Sequence, residues 1–152
     1  MPTNSYGPND NYNLKNSHVL PALIRKFHEA KINNTPTVTM WGTGKPMREF
    51  LHVDDLADAC LFLMHNYNEK DFVNIGAGKD ISILALANLI KTIIGYKGEI
   101  VHDYTKPDGT PKKLMDVSKI NQLGWTAKIK LNDGIKDVYE VFQQQYLQKE
   151  TT

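Results

Sequence analysis

Five histidines, His18, His28, His52, His65 and His102, are the first side chains that could do chemistry. No two stand in an H-x-x-x-H pair, and Cys60 is the single cysteine. That spacing argues against a metal centre and excludes both a cysteine zinc site and an internal disulfide. Gly42-Thr43-Gly44 and Gly76-Ala77-Gly78 are too short for a phosphate-cradling fingerprint, so they read as turns. With no G-x-S-x-G elbow, a serine nucleophile is not expected. Arginine usage says more. Against 16 lysines there are only Arg25 and Arg48, and Arg48 heads an expected strand. A guanidinium there suits a bidentate phosphate or carboxylate contact; a surface ion pair with Glu49 or an aspartate is the equal alternative. Trp41, beside the same turn, is either a core residue or an aromatic face for a sugar or base.

The elements that must carry these residues read as mixed α/β. A polar stretch from Asn9 to Asn16 follows a Gly/Pro turn, and Ser17 is the expected cap of a helix striped by Leu20, Leu23, Ile24 and Phe27. Thr37–Trp41 and Arg48–Val53 read as strands around the 42–46 turn, the second alternating. Asp54 is the expected cap of a helix that turns Leu56, Cys60, Leu63 and Met64 inward. Asp71–Ile75 reads as a brief strand. Ser82 opens a helix with Leu86, Leu89, Ile90 and Ile93 on one side and Gly95 at its end. Glu99–Asp103 is a strand, 106–113 a Pro/Gly loop, and Ser118 starts a short helix ending at Gly124. Ile135, Val138, Tyr139 and Phe142 stripe a last helix, with Lys149–Thr152 expected to fray. The expectation is one domain of short strands and four or five helices.

Composition narrows the function class. The 152 residues carry 18 Lys plus Arg against 17 Asp plus Glu, a formal net charge of +1. Such balance argues against nucleic-acid binding through bulk charge and against a polybasic membrane anchor. No apolar run approaches the length of a spanning helix, and the Asn-rich start has no secretory h-region. A soluble, cytoplasmic chain is expected.

Three ordered segments then carry a resemblance. Pro2-Thr3-Asn4-Ser5-Tyr6-Gly7-Pro8, Arg48-Glu49-Phe50-Leu51-His52-Val53-Asp54-Asp55 and Val73-Asn74-Ile75-Gly76-Ala77-Gly78 resemble the extended short-chain dehydrogenase/reductases acting on nucleotide sugars. Asn16–Leu23, Trp41–Phe50 and Lys106-Pro107-Asp108-Gly109-Thr110-Pro111 narrow it to that family's GDP-sugar 3,5-epimerase/4-reductases.

The resemblance implies an N-terminal Rossmann domain holding NADPH and a smaller C-terminal part holding the GDP-sugar. It implies that His18 is the catalytic histidine, a proton donor during epimerisation. Pro2, Thr3, Asn4, Ser5 and His18 fall where the cofactor is touched, and Lys26, Trp41, Arg48 and Asp108 fall where the GDP-sugar is held. Lys106, Lys112 and Lys113 crowd the Asp108 loop and add positive charge. The chain contains no Gly-rich fingerprint after a strand and no Tyr-x-x-x-Lys pair. We therefore expect a 1–152 nucleotide-sugar-binding C-terminal domain without its NADP-binding domain, unable to hold NADPH tightly alone. Its expected partners are a GDP-sugar and a Rossmann half or a second copy of itself, with no nucleic acid and no membrane.

Overall fold

The computed structural model describes residues 1–150, with side chains described to residue 145. In chain order they form β1 (Asn4–Tyr6), α1 (Val19–Ile32), β2 (Thr37–Trp41), β3 (Met47–His52), α2 (Val53–Asn66), β4 (Asp80–Ser82), α3 (Ile83–Ile94), β5 (Glu99–Asp103), β6 (Lys112–Lys113), α4 (Ser118–Gln122) and α5 (Leu131–Glu150). One sheet runs β1-β3-β4, with β6 also on β3; a second joins β2 to β5 in parallel. The α/β class with short strands and helices stands as expected.

Apolar spacing builds the main core. Leu20, Ile24 and Phe27 of α1, Leu86 and Ile90 of α3, and Ile135 and Val138 of α5 are almost wholly buried together. Each such side chain contributes roughly 1.5–3 kcal/mol through removal from water. Helix α3 has both expected ends: Ser82 Oγ accepts from Ala85 N at 3.1 Å, and Gly95 closes it at φ 75°. Leu51, Ala59, Val73, Ile75, Ile120 and Trp125 form a second cluster beneath α2.

Several expectations change. Helix α1 starts after His18, not Ser17; His18 is in extended geometry and makes no side-chain cap bond. In α2 the cap is the His52 ring, whose Nδ1 accepts from Asp54 N at 3.2 Å, so Asp54 lies inside the first turn. Of the four residues expected inward on α2, Leu56 and Leu63 pack against the second cluster, but Cys60 and Met64 do not. Asp55 and Ala59 are buried, whereas Cys60 is exposed and Met64 is 77% exposed. The reason is Asp55. Its carboxylate accepts from Lys128 N and from Ile129 N (2.9 Å), and that anchorage sets the helix's rotation.

Strand β3 does not alternate, because Glu49 to His52 are all buried between neighbouring strands and helices. The 71–75 segment contributes only a bridge, Pro2 to Ile75. Asp80–Ser82 adds a strand that the sequence pattern did not suggest, and Lys112–Lys113 leave the expected loop to pair with β3. At the chain's end α5 continues to Glu150; the remainder of the expected frayed end, 151–152, lies outside the described residues.

Glu49 is the buried centre of the arrangement. Its Oε1 accepts from Gly78 N at 2.6 Å and its Oε2 from Met115 N at 3.0 Å. It thereby ties the 76–78 turn and the 115 segment to β3. Adjacent strand residues point to opposite faces, so Glu49 turns away from Arg48 and the surface ion pair between them does not form. Gly76 is required at this point, because a Cβ there would collide with the Glu49 carboxylate.

Candidate functional site

The pleat of β2 decides the fate of Trp41. Val38 and Met40 face the core, and Thr37, Thr39 and Trp41 face out. Trp41 is 63% exposed, so the core reading fails and the ring is available to a ligand. On β3, Arg48 is half-buried. Its Nη1 donates to Met47 O at 2.7 Å and to Thr110 O at 2.6 Å, which fixes the guanidinium between the strand and the 106–111 loop.

Arg48 stands where two recesses meet. A cavity of about 640 Å³ is bounded by Thr3, Asn4, Ser5, His18, Arg48 and Phe50. A second, of about 200 Å³, lies between Trp41, Arg48 and Pro107–Gly109. Both also share Val19. Their combined size suits a ligand larger than a monosaccharide, since small-molecule sites commonly span about 300–1,000 Å³. His18 is exposed at the start of α1, and its imidazole makes no hydrogen bond to the described residues. It is free to face a ligand.

Lys26 takes a neighbouring position. It lines a third recess of about 280 Å³ with Trp41, Val19 and Ser17, and does not border the Arg48 cavities directly. Its Nζ lies 3.3 Å from Thr39 O and 5.6 Å from the Trp41 ring centre. Burial pulls its pKa below the usual lysine range. A half-buried ammonium with no carboxylate partner among the described residues favours an anionic ligand. Thus His18, Arg48 and Thr3–Ser5 come together, Trp41 and Asp108 adjoin them, and Lys26 joins through Trp41.

Asp108 has a structural task the sequence did not suggest. Its Oδ1 accepts from Thr43 N at 2.9 Å and its Oδ2 from Thr43 Oγ1 at 2.5 Å. These bonds hold its carboxyl below the ordinary aspartate range and close the 42–46 turn against the 106–110 loop. Gly42, at φ 68°, allows that approach, because a Cβ would collide with the Asp108 carboxylate. Each carboxylate oxygen retains acceptor capacity for a ligand hydroxyl. Thr43 is the residue missed; its place between two glycines was the only local signal, and its partner lies 65 residues away.

Pro2 is exposed beside its bridge to Ile75, outside the cavity wall. Thr3 N donates to Ile75 O at 3.0 Å, and Asn4 Nδ2 donates to Glu49 O at 2.9 Å, which makes the 3–5 wall rigid. Among the described residues no group of three His, Cys, Asp or Glu is placed to hold a metal. No helix among them is long and apolar enough to cross a membrane.

Residues 1–76, half of the 152, match the family model described as the NAD dependent epimerase/dehydratase family. The chain belongs to that family. It is 59% identical over 140 residues to "GDP-L-fucose synthase 1" of Arabidopsis thaliana, covering 92% of this chain and 43% of that one. It is 49% identical over 151 residues to the "GDP-L-fucose synthase" of Escherichia coli K12, covering 93% of this chain and 47% of that protein. Among solved structures, a GDP-L-fucose synthetase from Naegleria fowleri bound to NADP superposes with a TM-score of 0.89 at 34% identity. That match covers 96% of this chain and 44% of the other. The chain therefore spans a little under half the length of these relatives, and it matches the C-terminal part of their fold.

Proposed function

We propose that this chain is the nucleotide-sugar-binding part of a GDP-L-fucose synthase. That enzyme converts GDP-4-keto-6-deoxy-D-mannose to GDP-L-fucose by 3,5-epimerisation and NADPH-dependent 4-reduction. The observation that carries the reading is the meeting of His18, Arg48 and Thr3–Ser5 around one cavity that adjoins Trp41 and Asp108. In this reading the diphosphate lies toward Arg48 and Lys26, Asp108 accepts from ligand hydroxyls, and the hexose faces His18. A protonated His18 in this reading gives its proton to the sugar carbon, becomes neutral imidazole and takes a proton back from water, which suits reprotonation during epimerisation.

The cofactor side is partial. Thr3–Ser5 and His18 fit one edge of a nicotinamide site, since the 3–5 segment is rigid and borders the cavity. Among the described residues no set makes a dinucleotide cradle, so in this reading NADP(H) is held chiefly by a Rossmann half outside them. When bound, that cofactor supplies the hydride for C4. By itself the chain binds the GDP-sugar and does not reduce it. Leu61, Met64 and Phe72, at 58%, 77% and 77% exposure, offer apolar surface for the complementary half or a second copy. We assign the protein to the cytoplasm, where the exposed Cys60 stays reduced.

Calorimetric titration of the chain with GDP, UDP and dTDP tests the reading. GDP should bind with clear preference. Preference for a pyrimidine nucleotide would move the chain to another nucleotide-sugar epimerase or dehydratase of the family. No nucleotide binding, together with self-association on dilution series, would make it an interaction module instead.

A further inference from the structure

The ring of Trp41 is approached by two ammonium groups, Lys26 Nζ at 5.6 Å and Lys106 Nζ at 5.7 Å from its centre. Lys106 reaches it from the loop after β5, and its place is built. Trp41 and Asp103 are register partners in the β2–β5 pair. The Asp103 Oδ1 accepts from Thr105 N at 3.0 Å and Thr105 Oγ1 at 2.6 Å, and Lys106 N donates to Asp103 O at 3.3 Å. This turn folds the chain back beside the indole. Two residues on, Asp108 is fastened to Thr43. The backbone of Lys106 is thus held on both sides while its ammonium makes no ion pair among the described residues.

The other loop lysines differ. Lys112 Nζ lies 3.4 Å from Asp80 Oδ2, and Lys113 belongs to β6. Among the described loop lysines, Lys106 combines a held backbone with a position next to the Trp41 and Pro107–Gly109 recess, and its ammonium feels Asp103 at a distance without forming an ion pair. An ammonium held by the weak quadrupole of an exposed indole exchanges readily for a phosphate oxygen, which attracts it far more strongly.

We propose that Lys106 is a further binding residue of the cleft, leaving the face of Trp41 to pair with the ligand's diphosphate. This rests on the reading of the cleft as a GDP-sugar site and adds a third cation to Lys26 and Arg48. The test is GDP titration of the full 152-residue chain and of Lys106→Gln, Lys106→Arg and Lys112→Gln at two salt concentrations. Lys106 is exposed, so neither substitution disturbs the core. Lys106→Gln should bind GDP roughly five- to tenfold more weakly and with shallower salt dependence. Lys106→Arg should recover most of the loss, and Lys112→Gln should match the parent. Equal affinity of parent and Lys106→Gln would overturn the assignment, as would equal weakening by Gln and Arg. A parent chain that binds no GDP would overturn the reading of the cleft itself, and this inference with it.

Discussion

Arg48→Ala should weaken GDP binding by about 1.5–3 kcal/mol, the usual worth of a charge-assisted hydrogen bond. Calorimetry against the parent chain reads this directly. The guanidinium is not a mobile surface group. Two carbonyls, Met47 O and Thr110 O, hold Nη1 in place and Nη2 lies beside Gly109, so the guanidinium meets a ligand with little further loss of freedom. Arg48→Lys keeps the charge but loses both the fork and the anchorage, and should fall between the two. An Arg48→Ala chain with undiminished affinity would remove this residue from the site. Because Arg48 borders both recesses, that result would also separate the His18 cavity from the Trp41 recess as parts of one site.

The second large effect concerns stability. Glu49→Ala should destabilise the chain by about 3–5 kcal/mol, read as a lower urea midpoint at an unchanged slope. Glu49 is 0% exposed, and its two oxygens accept from Gly78 N and Met115 N. Alanine removes the acceptor of both part-buried amides and opens a void where the fully buried carboxylate sat. Against a total stability of about 5–15 kcal/mol for an ordinary domain, such a loss is a large fraction. Glu49→Gln should restore little, because its amide group would set a donor against one of the two donors already there. A change within about 0.5 kcal/mol would mean that the 76–78 turn and the 115 segment hold their places without this carboxylate.

The second effect bears on why the Arg48–Asp55 motif is so recognisable. Three of its polar residues carry structure: Glu49 ties two loops, His52 caps α2, and Asp55 receives the amides of Lys128 and Ile129. Arg48 alone among its charged residues faces the cavities. The motif thus signals the family mostly through residues that build the scaffold, with one residue for the ligand.

What could be read from residue order follows from the range of each interaction. Helices α1, α3 and α5 were legible because their apolar stripes repeat locally and their buried faces follow that spacing. The face of α2 was legible only in Leu56 and Leu63, since its rotation also depends on Asp55 meeting amides more than 70 residues away. Strands β4 and β6, of three and two residues, carry no period to detect. At the site, the outward aim of Trp41 follows from the alternation of β2 once Val38 and Met40 are seen to be core. Asp108 was visible as a polar loop residue, but Thr43 as its partner was not, because only folding brings the two turns together. His18 stood out through its motif and Lys26 through the family resemblance, whereas Arg48 was also marked by the scarcity of arginine.

A structure of the chain with a GDP-hexose bound is the most direct examination of the site. The diphosphate should span from Arg48 toward Lys26 across Trp41, with the hexose in the cavity between His18 and the 3–5 wall. A nucleotide seated on another surface, or a hexose pointing away from His18, would contradict the account.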